Sequence, residues 1–224
     1  AEQEDLNKGS NILSTIAERR AAVNGRMAEH NAKILTEVDA TEYAYRYAFS
    51  FDGDDAALEK MTRYIEELEG AEILSLGRGL ELVKDLGDAN VVSDQYGLKG
   101  FQGTHALGHT RMATESDVDI RSAHPYWAYP YNDISVVHNG QITNYWIMRR
   151  QMEFKGHRFL SNCDSELLAV YTADKLNDGY TLEDSLRQSI EEIDGVFTYV
   201  VATKDCLGMA KDTMAAKPMV LFES

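Results

Sequence analysis

Two neighbouring residues after a short apolar stretch have the types needed to stabilise an oxyanion. Asn139 and Gly140 directly follow Val136–His138, and they offer a side-chain amide next to a backbone N–H. Such a pair of donors can stabilise the oxyanion of a tetrahedral intermediate. Asn-Gly also favours a tight turn with positive φ, so an ordinary turn is the alternative. In both cases we predict a strand over 134–138 that stops at this dipeptide.

Arg111 and Asp164 are the charged residues whose surroundings point to a binding role. Arg111 stands among small and apolar residues in Gly108–Thr114, where its guanidinium would form a structural ion pair or grip a carboxylate with two hydrogen bonds. Asp164 lies in Ser161–Glu166, where it would cap a helix or accept from an ammonium group. The residues alone leave both pairs of alternatives open.

Other residues that could do chemistry lack the neighbours they would need. Cys163 and Cys206 have no obvious base beside them, and we interpret them as packed or surface thiols. His105 and His109 are four residues apart, a spacing that would put two metal ligands on one helix face. No glutamate follows His105, and Gly108 leads into β-like sequence. We therefore predict packed or hydrogen-bonded histidines and no metal site.

The composition narrows the possible partners. The chain has 224 residues and a net charge of −15 at pH 7, which argues against nucleic acid and anionic membrane surfaces as partners. Two cysteines cannot build a disulfide framework, which points to a reducing compartment, and we predict a cytoplasmic location. No apolar run approaches the roughly 20 residues of a membrane helix. The length fits one domain with a sizeable core, or one domain and a small appendage.

The periodicity of apolar residues predicts alternating helices and strands from residue 51 onward. Asp54 or Asp55 would cap a helix that ends at Gly70, and Thr181 with Asp184 resembles a capping box. The predicted helices cover 88–96 and 144–154 and begin at 164 and 181, and the predicted strands are 72–76, 80–84, 104–114, 134–138, 196–202, 207–210 and 217–222. Residues 1–70 read as a helix-rich segment or insertion, and residues 71–224 as one domain of α+β or layered type.

Several motifs taken in order resemble one family, the glutaminase domain of class II glutamine amidotransferases, which are N-terminal-nucleophile hydrolases. The resemblance is strong over 103–222, weaker over 71–102 and absent over 1–70. The stretch Ala106–Ser116 is most similar to the stand-alone amidotransferase subunits of glutamate synthase-like and N-methylglutamate synthase-like complexes. The motifs that carry it are Gly108–Thr114, Ser122–Pro125, Val137–Gly140 with Ile142 and Asn144, Asp164–Glu166, Asp194–Phe197, and Lys211–Asp212 with Lys217–Pro218.

The resemblance implies a fold and a role for each site residue. The fold would be α+β, a four-layer αββα sandwich. Arg111 would bind the α-carboxylate of glutamine, with the hydroxyl of Thr114 beside it, and Asp164 would accept from its α-ammonium group. Asn139 and Gly140 would form the oxyanion hole.

The family's nucleophile is the thiol of an N-terminal cysteine, whose α-amino group serves as general base. Ala1 has no thiol, so we expect a piece of the domain to precede this chain. The unclosed last strand predicts another piece after it. Glutamine would be hydrolysed to glutamate and ammonia for a partner synthase in a hetero-oligomer. This chain would carry no cofactor, and FMN and an iron–sulfur cluster would belong to the partner. The alternatives are a non-catalytic glutamine-binding or scaffolding subunit, and an N-terminal-nucleophile amidase for another amide.

Overall fold

The computed structural model describes residues 12–110, 120–129 and 133–223. The chain divides into two compact units. The first takes the described residues up to Ile73 together with Ser93–Leu98, and the second takes Leu74–Val92 and the described residues from Lys99 onward. Within the described ranges, no helix is both long enough and apolar enough to cross a membrane. The assignment of 71–224 as the family domain stays a prediction.

The first unit combines helices with a β-hairpin. Its elements are α1 (Ile12–Glu29), β1 (Ala32–Asp39), β2 (Tyr45–Phe51) and α2 (Asp55–Glu66). Strands β1 and β2 pair in antiparallel fashion, with a bulge between Ile34 and Thr36. Helix α2 begins as predicted, because the Asp54 carboxylate accepts from the Ala57 N–H at 2.8 Å. The apolar residues Leu58, Met61 and Ile65, spaced three or four positions apart on one face of this helix, are buried.

The second unit is built on a four-stranded antiparallel sheet. Its strands are β3 (Tyr126–Trp127), β4 (Ile134–Ile142), β5 (Gly195–Thr203) and β6 (Leu207–Lys211). They lie in the order β3-β4-β5-β6, so each strand lies beside its neighbour in the chain. The chain passes from one unit to the other within the short helix α3 (Ala89–Gln95) and again within the following 3₁₀ turn, Leu98–Gly100. The remaining helices are α4 (Tyr145–Phe154), α5 (Asp164–Asn177) and α6 (Leu182–Glu192).

One face of this sheet forms the core with helix α5. Ten consecutive residues of α5, Ser165–Asp174, are buried, so this helix is enclosed on all sides rather than amphipathic. Alternate strand residues such as Val136, Phe197 and Val201 belong to the same buried cluster. Helices with antiparallel sheets confirm the α+β prediction. The described residues of this unit supply one sheet and one helical layer of the four-layer arrangement that the resemblance implies.

The two strands predicted over 72–76 and 80–84 are wrong, because neither stretch is extended in a ladder. Asp133, at φ +58°, directs its buried carboxylate into the turn between them. It accepts from the backbone N–H groups of Arg78, Gly79 and Leu80 at 2.7 to 3.1 Å. Side-chain oxygens thus take the donors that a strand would have used, and Leu82 likewise donates to the Ser75 hydroxyl.

Two further predicted strands have no ladder. The described part of 104–114, up to Thr110, is irregular, and the stretch 217–222 is irregular and ends with exposed apolar residues, Val220 at 88%. An apolar run forms a strand only where a neighbour supplies hydrogen bonds. In the described sheet, β6 pairs with β5 alone. The predicted helices at 88–96 and 144–154 and the strands at 196–202 and 207–210 are confirmed to within two residues.

A buried ion pair on helix α5 should give the protein an acid-sensitive component of stability. Asp174, whose side chain is 8% exposed, accepts from Lys155 Nζ at 2.5 Å and contacts His157 Nε2 at 2.7 Å. Burial alone would raise the pKa of Asp174, but the hydrogen bonds from Lys155 and His157 outweigh burial and lower that pKa below its ordinary value. A carboxyl with a lowered folded-state pKa stabilises the fold above its unfolded pKa, and this stabilisation is lost as the pH falls.

We therefore expect Asp174→Asn to lower the free energy of unfolding by about 1–2 kcal/mol at pH 7, measured by urea denaturation. The difference from the parent protein should shrink as the pH falls through the lowered pKa of Asp174. Asp178 is the matched control, since its side chain is 53% exposed and lies 3.9 Å from the same Lys155 Nζ. Asp178→Asn should change stability by less than about 0.5 kcal/mol. A pH-independent effect of Asp174→Asn would contradict the assignment.

Candidate functional site at the end of strand β4

Strand β4 continues through the Asn-Gly dipeptide. It runs from Ile134 to Ile142, with Asn139 opposite Thr198 and Gly140 opposite Phe197 on β5. The prediction of a turn that ends the strand at residue 138 is therefore wrong. The predicted positive φ is present, however, because Gly140 has a φ of +148°. The long-range partner β5 holds the dipeptide extended where local preference favours a turn.

Gly140 leaves no room for a side chain between the two central strands. A Cβ atom at this position would meet the Val196 carbonyl oxygen at 2.0 Å and the Phe197 Cα at 2.7 Å. Gly195 faces the same problem from the other strand, since its Cβ would meet the Gln141 carbonyl oxygen at 2.2 Å. Both clashes are with backbone, which cannot rotate away as a side chain can. Glycine at 140 is therefore required by packing as well as by its φ.

The Asn139 side chain lies on the face of the sheet opposite helix α5. Alternation along the strand puts His138 on the helix side, where its side chain is 1% exposed, and leaves Asn139 exposed on the other. Thr198, its cross-strand partner, donates from its hydroxyl to the Lys217 carbonyl oxygen at 3.2 Å. The tail around Lys217 therefore passes beside Asn139, and the Asn139 amide borders an accessible surface.

The backbone opposite Gly140 is directed away from it. Phe197 donates its N–H to the Asp212 carboxylate at 3.0 Å and accepts from the Asp212 N–H at 3.0 Å. Phe197 therefore turns both backbone groups toward Asp212, just past β6, rather than toward Gly140. This arrangement is compatible with a Gly140 N–H that serves an acceptor outside the ladder.

Asp164 is joined directly to the end of β4. Its Oδ2 accepts from the Ile142 N–H at 2.9 Å, two residues beyond Gly140. The prediction that Asp164 caps helix α5 is wrong, because Cys163 occupies the N-cap and Asp164 is the first helical residue. Its carboxylate instead accepts a hydrogen bond from the backbone of strand β4. At the first turn of a helix it also lies where the helix dipole stabilises a negative charge.

Glu166 and Arg149 fix the loop that leads into α5. The Glu166 carboxylate, 1% exposed, accepts from the Leu160 and Ser161 N–H groups and from the Ser161 hydroxyl at 2.6–2.7 Å. Burial raises the pKa of the Glu166 carboxyl, although these hydrogen bonds oppose the shift. Arg149 donates to the Ser161 carbonyl oxygen at 2.7 Å and stacks on Phe159. The start of α5, and with it Asp164, is thus rigidly anchored.

The remaining predicted residues fall into two groups. Arg111 and Thr114 lie outside the described residues. The histidines and cysteines do not form a reactive pair: His105 Nε2 contacts the Thr203 carbonyl oxygen at 2.8 Å, and Cys163 Sγ lies 3.7 Å from Asp164 Oδ1. Cys206 is an exposed free thiol in the turn between β5 and β6. Among the described residues, no three His, Cys, Asp or Glu side chains are arranged to hold a metal.

A polar cluster to which the sequence analysis assigned no role packs against the site. We call it the His–Ser cluster, and it consists of His109, His124, His138 and Ser165. The Ser165 hydroxyl lies 3.0 Å from His124 Nε2 and 2.9 Å from His138 Nδ1, and the His109 ring stacks on His124 at 4.2 Å. A signal was present in the sequence, since every member lies within two residues of a predicted site residue or inside one of the family motifs.

The α+β fold and the ordered motifs around β4 are those of a class II glutamine amidotransferase domain, as the sequence predicted. A family model described as a glutamine amidotransferase domain matches residues 109–224, more than half of the chain. The chain belongs to this family.

Individual relatives agree with the family. The chain is similar to a putative glutamine amidotransferase of Methanothermobacter thermautotrophicus, 44% identical over 75% of this chain and 55% of that protein. It is also similar to the glutamine amidotransferase-like protein GlxB of Rhizobium meliloti, 35% identical over 68% of this chain and 50% of that protein. It thus spans about half the length of these relatives. A solved Bacillus subtilis structure, a glutamine phosphoribosylpyrophosphate amidotransferase, aligns with 50% of this chain and 25% of its own at 23% identity, with a TM-score of 0.41.

Proposed function

We propose that this domain binds glutamine and hydrolyses it to glutamate and ammonia. The observation that supports this most strongly is the hydrogen bond from Ile142 N–H to the Asp164 carboxylate at 2.9 Å. It brings the residue proposed for the substrate ammonium group to the strand segment that holds the proposed oxyanion donors, Asn139 and Gly140. Two ends of one amino-acid substrate would thereby be served by a single strand end.

The roles follow from the chemistry of each group. Arg111 would form paired hydrogen bonds with the α-carboxylate, with Thr114 as a further donor, while Asp164 would accept from the α-ammonium group. The Asn139 amide and the Gly140 N–H would stabilise the oxyanion of the tetrahedral intermediate. The nucleophile in this proposal is the thiol of an N-terminal cysteine with its own α-amino group as base.

Ammonia released from glutamine would be passed to a partner synthase. We assign the domain to a cytoplasmic hetero-oligomer in which a glutamate synthase-like partner consumes the ammonia. FMN and an iron–sulfur cluster would be held by that partner, because this chain has two cysteines and a cluster generally needs four thiolates. The resemblance of Gly108–Thr114 to the stand-alone subunits of such complexes supports this choice.

Glutamine binding and its dependence on Asp164 test the proposal. An Asp164→Asn change keeps an oxygen that can accept from Ile142 N–H but removes the negative charge offered to the ammonium group. Since a hydrogen bond to a charged group contributes about 1.5–3 kcal/mol, we expect the Kd for L-glutamine to rise roughly 10- to 100-fold. Isothermal titration calorimetry measures the Kd, and urea denaturation should show a free energy of unfolding changed by less than about 1 kcal/mol.

Asp205→Asn provides the matched control, because Asp205 is an exposed turn residue whose side chain is 72% accessible. Its Kd should equal that of the parent protein. An Asp164→Asn protein that folds and binds L-glutamine with parental affinity would refute the assignment of the ammonium site. A parent protein that does not bind L-glutamine would refute the proposed function.

A further inference from the structure

The Ser165 hydroxyl is the meeting point of a buried polar network. Ser165 is 2% exposed, and its Oγ lies 3.0 Å from His124 Nε2, 2.9 Å from His138 Nδ1 and 3.4 Å from Asp164 Oδ1. Helix α5 does not need this hydroxyl as a cap, because Ser165 is its second residue and Cys163 is the N-cap. The hydroxyl is therefore directed at the two imidazoles.

The number of protons on this hydroxyl couples the two histidines. A serine hydroxyl carries one proton and can accept two further hydrogen bonds. Of its three neighbours, Ser165 can donate to one. The Asp164 carboxylate can only accept, so when the hydroxyl donates to Asp164 both imidazoles must donate to Ser165, and when it donates to one imidazole the other must donate. The proton on His124 Nε2 and the proton on His138 Nδ1 are thus not independent, and Ser165 links the tautomers of the two rings.

Two members of the network are adjacent in sequence to residues of the proposed pocket. His138 directly precedes Asn139, and Ser165 directly follows Asp164. His109 stacks on His124 with a ring separation of 4.2 Å and an interplanar angle of 26°, and Arg111 follows two positions after His109. The network therefore connects the chain segments that carry the proposed ligands of the carboxylate, the ammonium group and the oxyanion.

We propose that Ser165 is a positioning residue for the glutamine pocket, because it joins His138 on strand β4 to His124 and holds the start of helix α5 in register with β4. This inference rests on the proposed function. Ser165 does not touch substrate in this role. It fixes the distance between the ammonium acceptor Asp164 and the oxyanion donor Asn139, both of which must contact the same molecule.

Removal of the hydroxyl should loosen the pocket and uncouple the rings. For Ser165→Ala we expect the Kd for L-glutamine to rise about tenfold, the loss expected for one hydrogen bond to a positioned group. Ser165→Thr retains the hydroxyl and should bind within about threefold of the parent. Ser185→Ala is the matched control, since Ser185 is a fully buried serine on helix α6, and its Kd should stay at the parental value.

Nitrogen-15 NMR of the imidazoles gives a readout that a merely structural loss would not move. In Ser165→Ala the Nε2 shift of His124 and the Nδ1 shift of His138 should both change, and in Ser165→Thr both should return toward the parent. Unchanged ring shifts in a folded Ser165→Ala protein would overturn the inference. Parental glutamine affinity in that variant would also overturn the inference, but it would leave the proposed function intact. A parent protein without glutamine affinity would instead overturn the proposed function and, with it, the inference.

Discussion

Gly140→Ala should destabilise the protein by about 3 kcal/mol or more in urea or thermal denaturation. The added methyl group would lie 2.0 Å from the Val196 carbonyl oxygen, and the φ of +148° is one that alanine rarely adopts. Strain in φ and overpacking each cost about 1–3 kcal/mol, and here neither can be relieved by rotating a side chain. Gly195→Ala should behave in the same way, because its Cβ would meet the Gln141 carbonyl oxygen at 2.2 Å.

Gly25 offers a matched control with an effect of the opposite sign. It lies inside helix α1, is exposed, and has no atom within 4 Å of the position that a Cβ would take. Because alanine is favoured over glycine in a helix interior, Gly25→Ala should stabilise the protein by about 0.5–1 kcal/mol. If Gly140→Ala were as mild as Gly25→Ala, the close approach of β4 and β5 described above would be wrong.

Asn139→Ala should reduce the kcat for glutamine hydrolysis about 10²- to 10³-fold in the protein with its native N-terminus. The proposed role of the amide is to bind the oxyanion, which exists only after the nucleophile has attacked. A donor used only at that stage lowers kcat when it is removed and leaves glutamine affinity nearly unchanged. Since Asn139 is exposed, the free energy of unfolding should change by less than about 0.5 kcal/mol. Steady-state ammonia release and calorimetric Kd measure the two effects separately.

Gln141 is the control for this experiment, because it has the same amide group, lies two residues further along β4, and is also exposed on the face opposite α5. Gln141→Ala should keep kcat within about twofold of the parent. An Asn139→Ala protein with parental kcat, or one that loses kcat and affinity in parallel, would exclude Asn139 as an oxyanion donor.

Motif order and local patterning predicted much of this molecule. The helix caps at Asp54 and Thr181 are formed as predicted, with Thr181 Oγ1 accepting from the Asp184 N–H at 3.1 Å. Such caps involve residues three positions apart, so the sequence contains both partners. The β-branched run 196–202 forms β5 because its residue types favour a strand, and the order of the motifs led to the family that residues 109–224 match.

Local sequence patterns could not predict contacts between distant parts of the chain. Asp133 takes the N–H groups of residues 78–80, more than fifty positions earlier in the chain, and the stretches on either side of this turn do not form the two predicted strands. The partner that holds this turn lies far away in sequence, where local propensity does not register it. Residues 1–50 gave a weak apolar pattern, although the described part contains a helix and a hairpin.

Local sequence and tertiary contacts together decide the structure of the Asn139–Gly140 pair. The sequence by itself determined which residues stand there, the positive φ of Gly140 and the order of the pair relative to Arg111 and Asp164. Only the tertiary structure decided that the pair is extended rather than turned. Strand β5 pairs with β4 along this stretch, and Gly195 has no Cβ that would clash with the Gln141 carbonyl oxygen. Only the tertiary structure placed the Asp164 carboxylate on Ile142 rather than on its own helix, since a hydrogen bond across 22 residues depends on the packing of α5 against the sheet.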